Sequence, residues 1–275
     1  MDWLAGFVAF WTAAWEWSED LRHIPLIAAT FLGLWLAASL VGTLNRLLNV
    51  PGWERLALYL LDPLMKWVVF GFGVALYVFA VAWPQNHDLN EVIDRLGLSL
   101  DVDPKLLWVS SGVLLAVWII IAMGLYMLAR GAGAKLDRRV SILQPKTFAE
   151  TTAFVLVLSP TAGILEEIVF RGFLFLMFLQ FNPDPWNAAL WTSVLFAMGH
   201  AYQGLGGILA TGVMGYTAAA SVIYTGTLWP AIIAHTVYDM LTVVMFKRLP
   251  EWPDGWEHWN PIKAEEPFGH QAGDR

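Results

Sequence analysis

The sequence predicts an all-α fold, a polytopic transmembrane helical bundle of about seven to eight spans, and three observations carry that reading. Of 275 residues, 57% are hydrophobic and only 14% charged, where soluble proteins carry about 25% charge. Mean hydropathy is +0.56. The apolar residues also fall in runs, Leu26–Leu44, Trp67–Trp83, Leu106–Ala129, Thr151–Phe181, Trp186–His200, Gly206–Tyr224 and Leu228–Phe246. Most of these approach the roughly 20 residues a helix needs to cross about 30 Å of hydrocarbon. A spanning segment must satisfy its own backbone hydrogen bonds, and without period-two alternation that selects helices over a barrel. Trp186–His200 is short, so it either crosses steeply or stops inside the membrane.

Charge placement threads the chain. Fifteen of the 16 Lys and Arg residues lie outside the apolar runs. Arg46, Arg55 and Lys66 fall between the first two runs, and Arg130, Lys135, Arg138, Arg139 and Lys146 follow the third. Lys247-Arg248 closes the last, while the loop around Asp88, Glu91, Asp94, Asp101 and Asp103 is acidic. Basic loops stay in the cytoplasm, so seven spans put all three basic regions inside and the acidic loop outside. Trp67, Trp83, Trp108, Trp186 and Trp229 stand at run ends, where amphipathic rings favour the interface. Met1–Trp17 is apolar and Trp-rich without a basic start, and reads as an interfacial helix or a short extra span. After Arg248 the chain turns acidic, with Pro and Gly, as a partly disordered cytoplasmic tail. The chain thus divides into N-terminal helices and loops (1–150), a core (151–246) and a tail (247–275), within one integral domain. Net charge is −7, held in loops and tail, which argues against nucleic acid as a partner. With no Cys in the chain, disulfide scaffolds and thiolate metal sites are excluded.

An ionisable group inside a span costs several kcal/mol, so each one there is a functional candidate. Glu166, Glu167 and Arg171 lie in Thr151–Phe181, His200 ends the next run, and His235 and Asp239 lie in the last. Glu167 and Arg171 are four apart, share a helix face and can offset each other's desolvation. Glu166 is turned about 100° from Glu167 and has no basic neighbour on its own helix, which leaves it available as a general base. His235 and Asp239 are also four apart, so Asp239 can orient the imidazole or both can face one ligand. Gly199 leaves space beside His200. Tyr202, Tyr216, Tyr224 and Tyr238 read as interface aromatics, and Gly204, Gly206, Gly207, Gly212 and Gly215 as close-packing positions. Phosphate-loop, GxSxG and HExxH patterns are absent, as is a GD pair within a span.

In order, the motifs are Glu166-Glu167-Ile168-Val169-Phe170-Arg171 (EExxxR, continuing Gly172-Phe173-Leu174), Phe196–His200 (FxxxH), and His235–Asp239 (HxxxD) after Gly226–Ala234. Together they resemble the CPBP family, the CAAX proteases and bacteriocin-processing enzymes also called ABI, across roughly Thr151–Phe246. The resemblance implies an intramembrane glutamic endopeptidase with its catalytic cavity among the C-terminal helices. By that analogy Glu166 with His200 activates water, His235 and position 239 stabilise the oxyanion, and Glu167 and Arg171 support them. Asp239 stands where the prenyl-protease pattern has Asn, and Asp donates a hydrogen bond only when protonated. Upstream of residue 150 nothing is familiar.

The expected partners are the lipid bilayer and a membrane-associated peptide or protein substrate, with no cofactor, and the expected location is a prokaryotic inner membrane with the site open to the cytoplasm. His235 precedes Lys247 by twelve residues, roughly 18 Å of helix from that side. Glu166 joins such a cavity if Pro160 and Gly163 break the Thr151–Phe181 run, so that the carboxylate pair starts a new helix. Two alternatives stay open. One is a zinc hydrolase using His200, His235 and a carboxylate. The other is a non-enzymatic transport, immunity or scaffold role for the same groups.

Overall fold

A computed structural model describes residues 52–77, 90, 93–94, 96–131 and 144–246. The Leu26–Leu44 run, the Met1–Trp17 stretch and the tail after Arg248 lie outside the described residues, as do Trp83 and the basic residues Lys135, Arg138 and Arg139. Among the described residues all regular structure is helical, with no strand. Helix α1 is Gly52–Tyr77, α2 is Pro104–Gly131, and a continuous helical rod, α3, fills 148–181. Then come α4 (Pro185–Gly199), one 3₁₀ turn (Ala201–Gln203), α5 (Gly204–Thr225) and α6 (Trp229–Phe246). Among the described residues, three stretches are long and apolar enough to span a membrane: Pro104–Leu128, Phe148–Leu179 and Gly204–Thr225.

The rod is the centre of the bundle. In its most apolar window 61% of residues are buried, against 17% for α2, which exposes Val109, Val113, Ile120, Met123 and Leu128 as an apolar band. Thr147 and Glu150 start α3 with a capping box, and Arg55 of α1 reaches the Glu150 carboxylate at 3.4 Å. Tyr59 packs edge-on against Phe154. Both contacts advance together along the two chains, so α1 and α3 run parallel.

The break expected at Pro160 and Gly163 does not occur. Instead, a wide π turn, Phe154–Leu158, comes just before Pro160 and relieves the clash its ring would make with the preceding carbonyls. The Ser159 hydroxyl then donates to Phe154 O at 3.0 Å. A second π turn, Ile168–Leu174, follows the carboxylate pair. Each wide turn shifts the helix register, and from Leu165 to Leu174 almost every side chain is buried, Glu167 and Arg171 included.

Gly163 sets how closely α3 and α6 cross. A Cβ there would overlap Thr236 Oγ1 and lie 2.9 Å from Thr236 N and 3.1 Å from Ile232 O, so the two backbones are in contact one residue from His235. Gly163→Ala is expected to cost about 1–3 kcal/mol of stability, read as a lower thermal midpoint, because it must push two packed helices apart. Gly215 is a close-packing position against Arg171 and Phe196, whereas a Cβ at Gly206 would meet nothing within 4 Å.

On the opposite end, Gly226 (φ 69°) ends α5 in the left-handed conformation, and Gly97 (φ 70°) approaches it. The Gly97 carbonyl accepts from Leu228 N and Thr227 Oγ1, both at 2.9 Å, and Trp229 Nε1 donates to Ser99 O at 2.9 Å. Trp229 is therefore a tether for the 96–99 loop as well as a helix-end aromatic. Trp67, in contrast, sits within α1, which begins 15 residues before the predicted run. Charged Arg55 and Lys66, expected in a basic loop, lie on that helix and are ion-paired inside the bundle.

Candidate active site

Three helices bring the predicted ionisable residues together. Glu166 and Glu167 come from the middle of α3, His235 and Asp239 from successive turns of α6, and His200 from the C-terminal cap of α4. The predicted Glu167–Arg171 pair forms, with Arg171 Nη1 donating to Glu167 Oε1 at 3.0 Å and both side chains essentially inaccessible. A buried pair this dry survives desolvation only with further partners. Glu167 has one, because the same Oε1 lies 2.7 Å from His235 Nδ1.

That contact reassigns the orienting role. Asp239 Oδ2 is 3.8 Å from His235 Nε2, beyond direct hydrogen-bond range, whereas Glu167 meets Nδ1 at close range. A carboxylate accepts, so Nδ1 carries the proton and Nε2 is turned toward Asp239 and toward Glu166 Oε2, 4.0 Å away. Glu167 thus supports the histidine as well as the arginine. Of the two readings of the His235–Asp239 spacing, the geometry is that in which both face one space: Asp239 lies on the Nε2 side and is more exposed than Glu167, with 26% of its side chain accessible.

His200 is held by its own helix. Its Nδ1 lies 2.8 Å from Phe196 O, a carbonyl of the last turn. A carbonyl can only accept, which places the proton on Nδ1 and leaves Nε2 as the basic nitrogen of the neutral ring. Glu166, His235 and Lys66 all act electrostatically on this ring. No Cβ contact exists within 4 Å of Gly199, in keeping with open space beside the imidazole.

Phe196 explains why the motif containing His200 begins with an aromatic residue. Its ring lies 4.4 Å under the Arg171 guanidinium carbon, 4.5 Å from the His200 ring and 6.0 Å, edge to face, from His235. One apolar plate therefore fixes the cation and both histidines.

Two contributors lie outside the recognised core. The indole of Trp118 on α2 packs at 5.8 Å against both His235 and Tyr238, and its Nε1 donates to Thr217 Oγ1 at 2.8 Å. Tyr238 is therefore beside the site, whereas Tyr216 and Tyr224 pack on Trp186. Lys66 on α1 places its ammonium 3.2 Å from Glu166 Oε1. Glu166 is thus not the unpartnered carboxylate its own helix suggested. A partner 100 residues away is invisible to helical spacing; the Asp62–Lys66 pair at i, i+4 was the available signal. Among the described residues, no trio of His, Asp or Glu is arranged to hold a metal ion.

Residues 148–241, which contain all six of these predicted site residues, match the family model described as Type II CAAX prenyl endopeptidase Rce1-like. No curated protein and no solved structure shows a significant match. The family is one of CAAX-type membrane endopeptidases, and its apolar helices make this a membrane protein. The match to this family of CAAX proteases covers the 148–241 segment, where the carboxylate pair and both histidines converge.

Proposed function

We propose that the protein is an intramembrane endopeptidase that hydrolyses a peptide bond of a membrane-associated protein or peptide with water activated by Glu166 and His200. The observation that carries this reading is the aim of Glu166 Oε2 and His235 Nε2 at one another across 4.0 Å, with Asp239 on the same side. Glu166 takes a proton from water as the water oxygen bonds to the substrate carbonyl carbon and the C=O electron pair moves onto oxygen. The basic nitrogen of His200 shares that proton. His235 meets the oxyanion through Nε2–H when that nitrogen is protonated, its other nitrogen being held by Glu167. The adduct collapses with cleavage of the C–N bond, and the departing amine recovers the proton.

In this reading residues 151–246 carry the chemistry inside a bundle of seven to eight spans. The site opens toward the cytoplasm, since Asp239 precedes Lys247 by eight residues, roughly 12 Å of helix. The test is incubation of the protein in bilayers with a panel of membrane-tethered peptides, prenylated and not, with and without chelator, reading products by mass. Cleavage indifferent to chelator supports the proposal. Cleavage lost with chelator and restored by zinc moves the assignment to a zinc hydrolase.

A further inference from the structure

The residues that complete this site from outside the matched segment raise a question about the charge beside Glu166. Lys66 Nζ stands 3.2 Å from Glu166 Oε1 and 3.2 Å from Asp62 Oδ2, with only 14% of the lysine side chain accessible. Glu166 therefore uses its two oxygens differently: Oε1 meets the ammonium, and Oε2 faces His235. A carboxylate on three rotatable bonds is hard to aim, and anchoring one oxygen fixes the direction of the other.

The helix that delivers Lys66 is itself held in register with α3. Trp67 Nε1, one residue on, donates to Thr161 Oγ1 at 3.1 Å, and Pro63 is fully buried one turn before. Arg55 and Glu150 tie the same two helices further back. Charge makes the second argument. Among the described residues, Asp62, Glu166, Glu167 and Asp239 are the carboxylates of this cluster, with Lys66 and Arg171 as its Lys and Arg partners. Whatever the protonation of the two histidines, loss of Lys66 makes this cluster one unit more negative. Arg171 is committed to Glu167 at 3.0 Å, so the compensation at Glu166 falls to Lys66.

We propose that Lys66 is a positioning residue of the active site, an ammonium supplied from outside the protease core that aims the Glu166 carboxylate at the reaction centre and compensates its charge. This rests on the reading of Glu166 as general base. It also gives the N-terminal helices a catalytic purpose: the matched segment holds the acid–base groups, and α1 makes one of them usable.

The experiment compares the full chain in bilayers as wild type, Lys66→Met, Lys66→Arg, Asp62→Asn/Lys66→Met and Glu166→Gln, on one tethered peptide that the wild type cleaves. Readouts are kcat and KM separately, with the thermal midpoint. Lys66→Met is expected to lower kcat by roughly 10- to 100-fold, the scale of losses from a misplaced group, with KM little changed. Lys66→Arg restores most of kcat because the charge returns. The double variant removes one charge of each sign, so it restores the midpoint if imbalance had lowered it, yet stays slow. Wild-type kcat in Lys66→Met or in the double variant overturns the proposal, and so does an equal loss in Met and Arg, which would make the effect one of packing. Glu166→Gln separates the two levels. If it cleaves like wild type, the reading of Glu166 itself falls. If it is inert while Lys66→Met is fast, only the role of Lys66 falls.

Discussion

Glu166→Gln lowers kcat on a cleaved peptide by about 10²–10⁴-fold, the usual contribution of a positioned general base, and moves KM little. The substitution keeps the shape of the side chain and removes its ability to take a proton. It leaves Lys66 with Asp62, 3.2 Å away, so the ammonium is not stranded and the fold is expected to survive. A near-wild-type thermal midpoint alongside lost turnover is the expected pair of observations. Turnover within a few-fold of wild type, once folding is verified, removes Glu166 from the chemistry.

The second large effect is on stability. Arg171→Met leaves Glu167, at 0% exposure, as a buried carboxylate whose remaining neutraliser is His235. Breaking one partner out of a buried pair costs about 3–5 kcal/mol, enough to consume much of a typical domain's stability. The cation–π contact with Phe196 is lost as well. The informative companion is Glu167→Gln/Arg171→Met. Removing both charges takes away the stranded carboxylate, so the thermal midpoint recovers toward wild type. Activity does not recover, because His235 loses the anion at Nδ1 that orients it. Equal midpoints for the single and double variants would show that the pair carries no stranded-charge penalty.

What was legible in the sequence follows from the range of the forces involved. Hydropathy runs located α2 through α6 within a few residues, since burial in lipid depends on local composition. It misplaced the start of α1 by 15 residues, because Arg55, Asp62 and Lys66 read as loop charges until their partners on other segments are known. Helical spacing found Glu167–Arg171, which is a contact within one helix. Spacing also put His235 and Asp239 on one face, but it could not foresee that Glu167, 68 residues away, would reach Nδ1 first. The break anticipated at Pro160 failed for a local reason. A π turn absorbs the missing N–H without ending the helix, and the sequence shows no distinct sign of one. Lys66, Trp118 and the ring of Phe196 enter the site only through tertiary packing.

The central claim is that Glu166 and His200 act on one water molecule. A cycle of wild type, Glu166→Gln, His200→Ala and the double variant, in single-turnover cleavage of one tethered peptide with chelator present, tests it most directly. Groups that work as a unit are strongly non-additive. The account predicts that the double variant is no slower than the worse single variant, to within a few-fold. Losses that multiply, or a His200→Ala protein that cleaves at the wild-type rate, would contradict it.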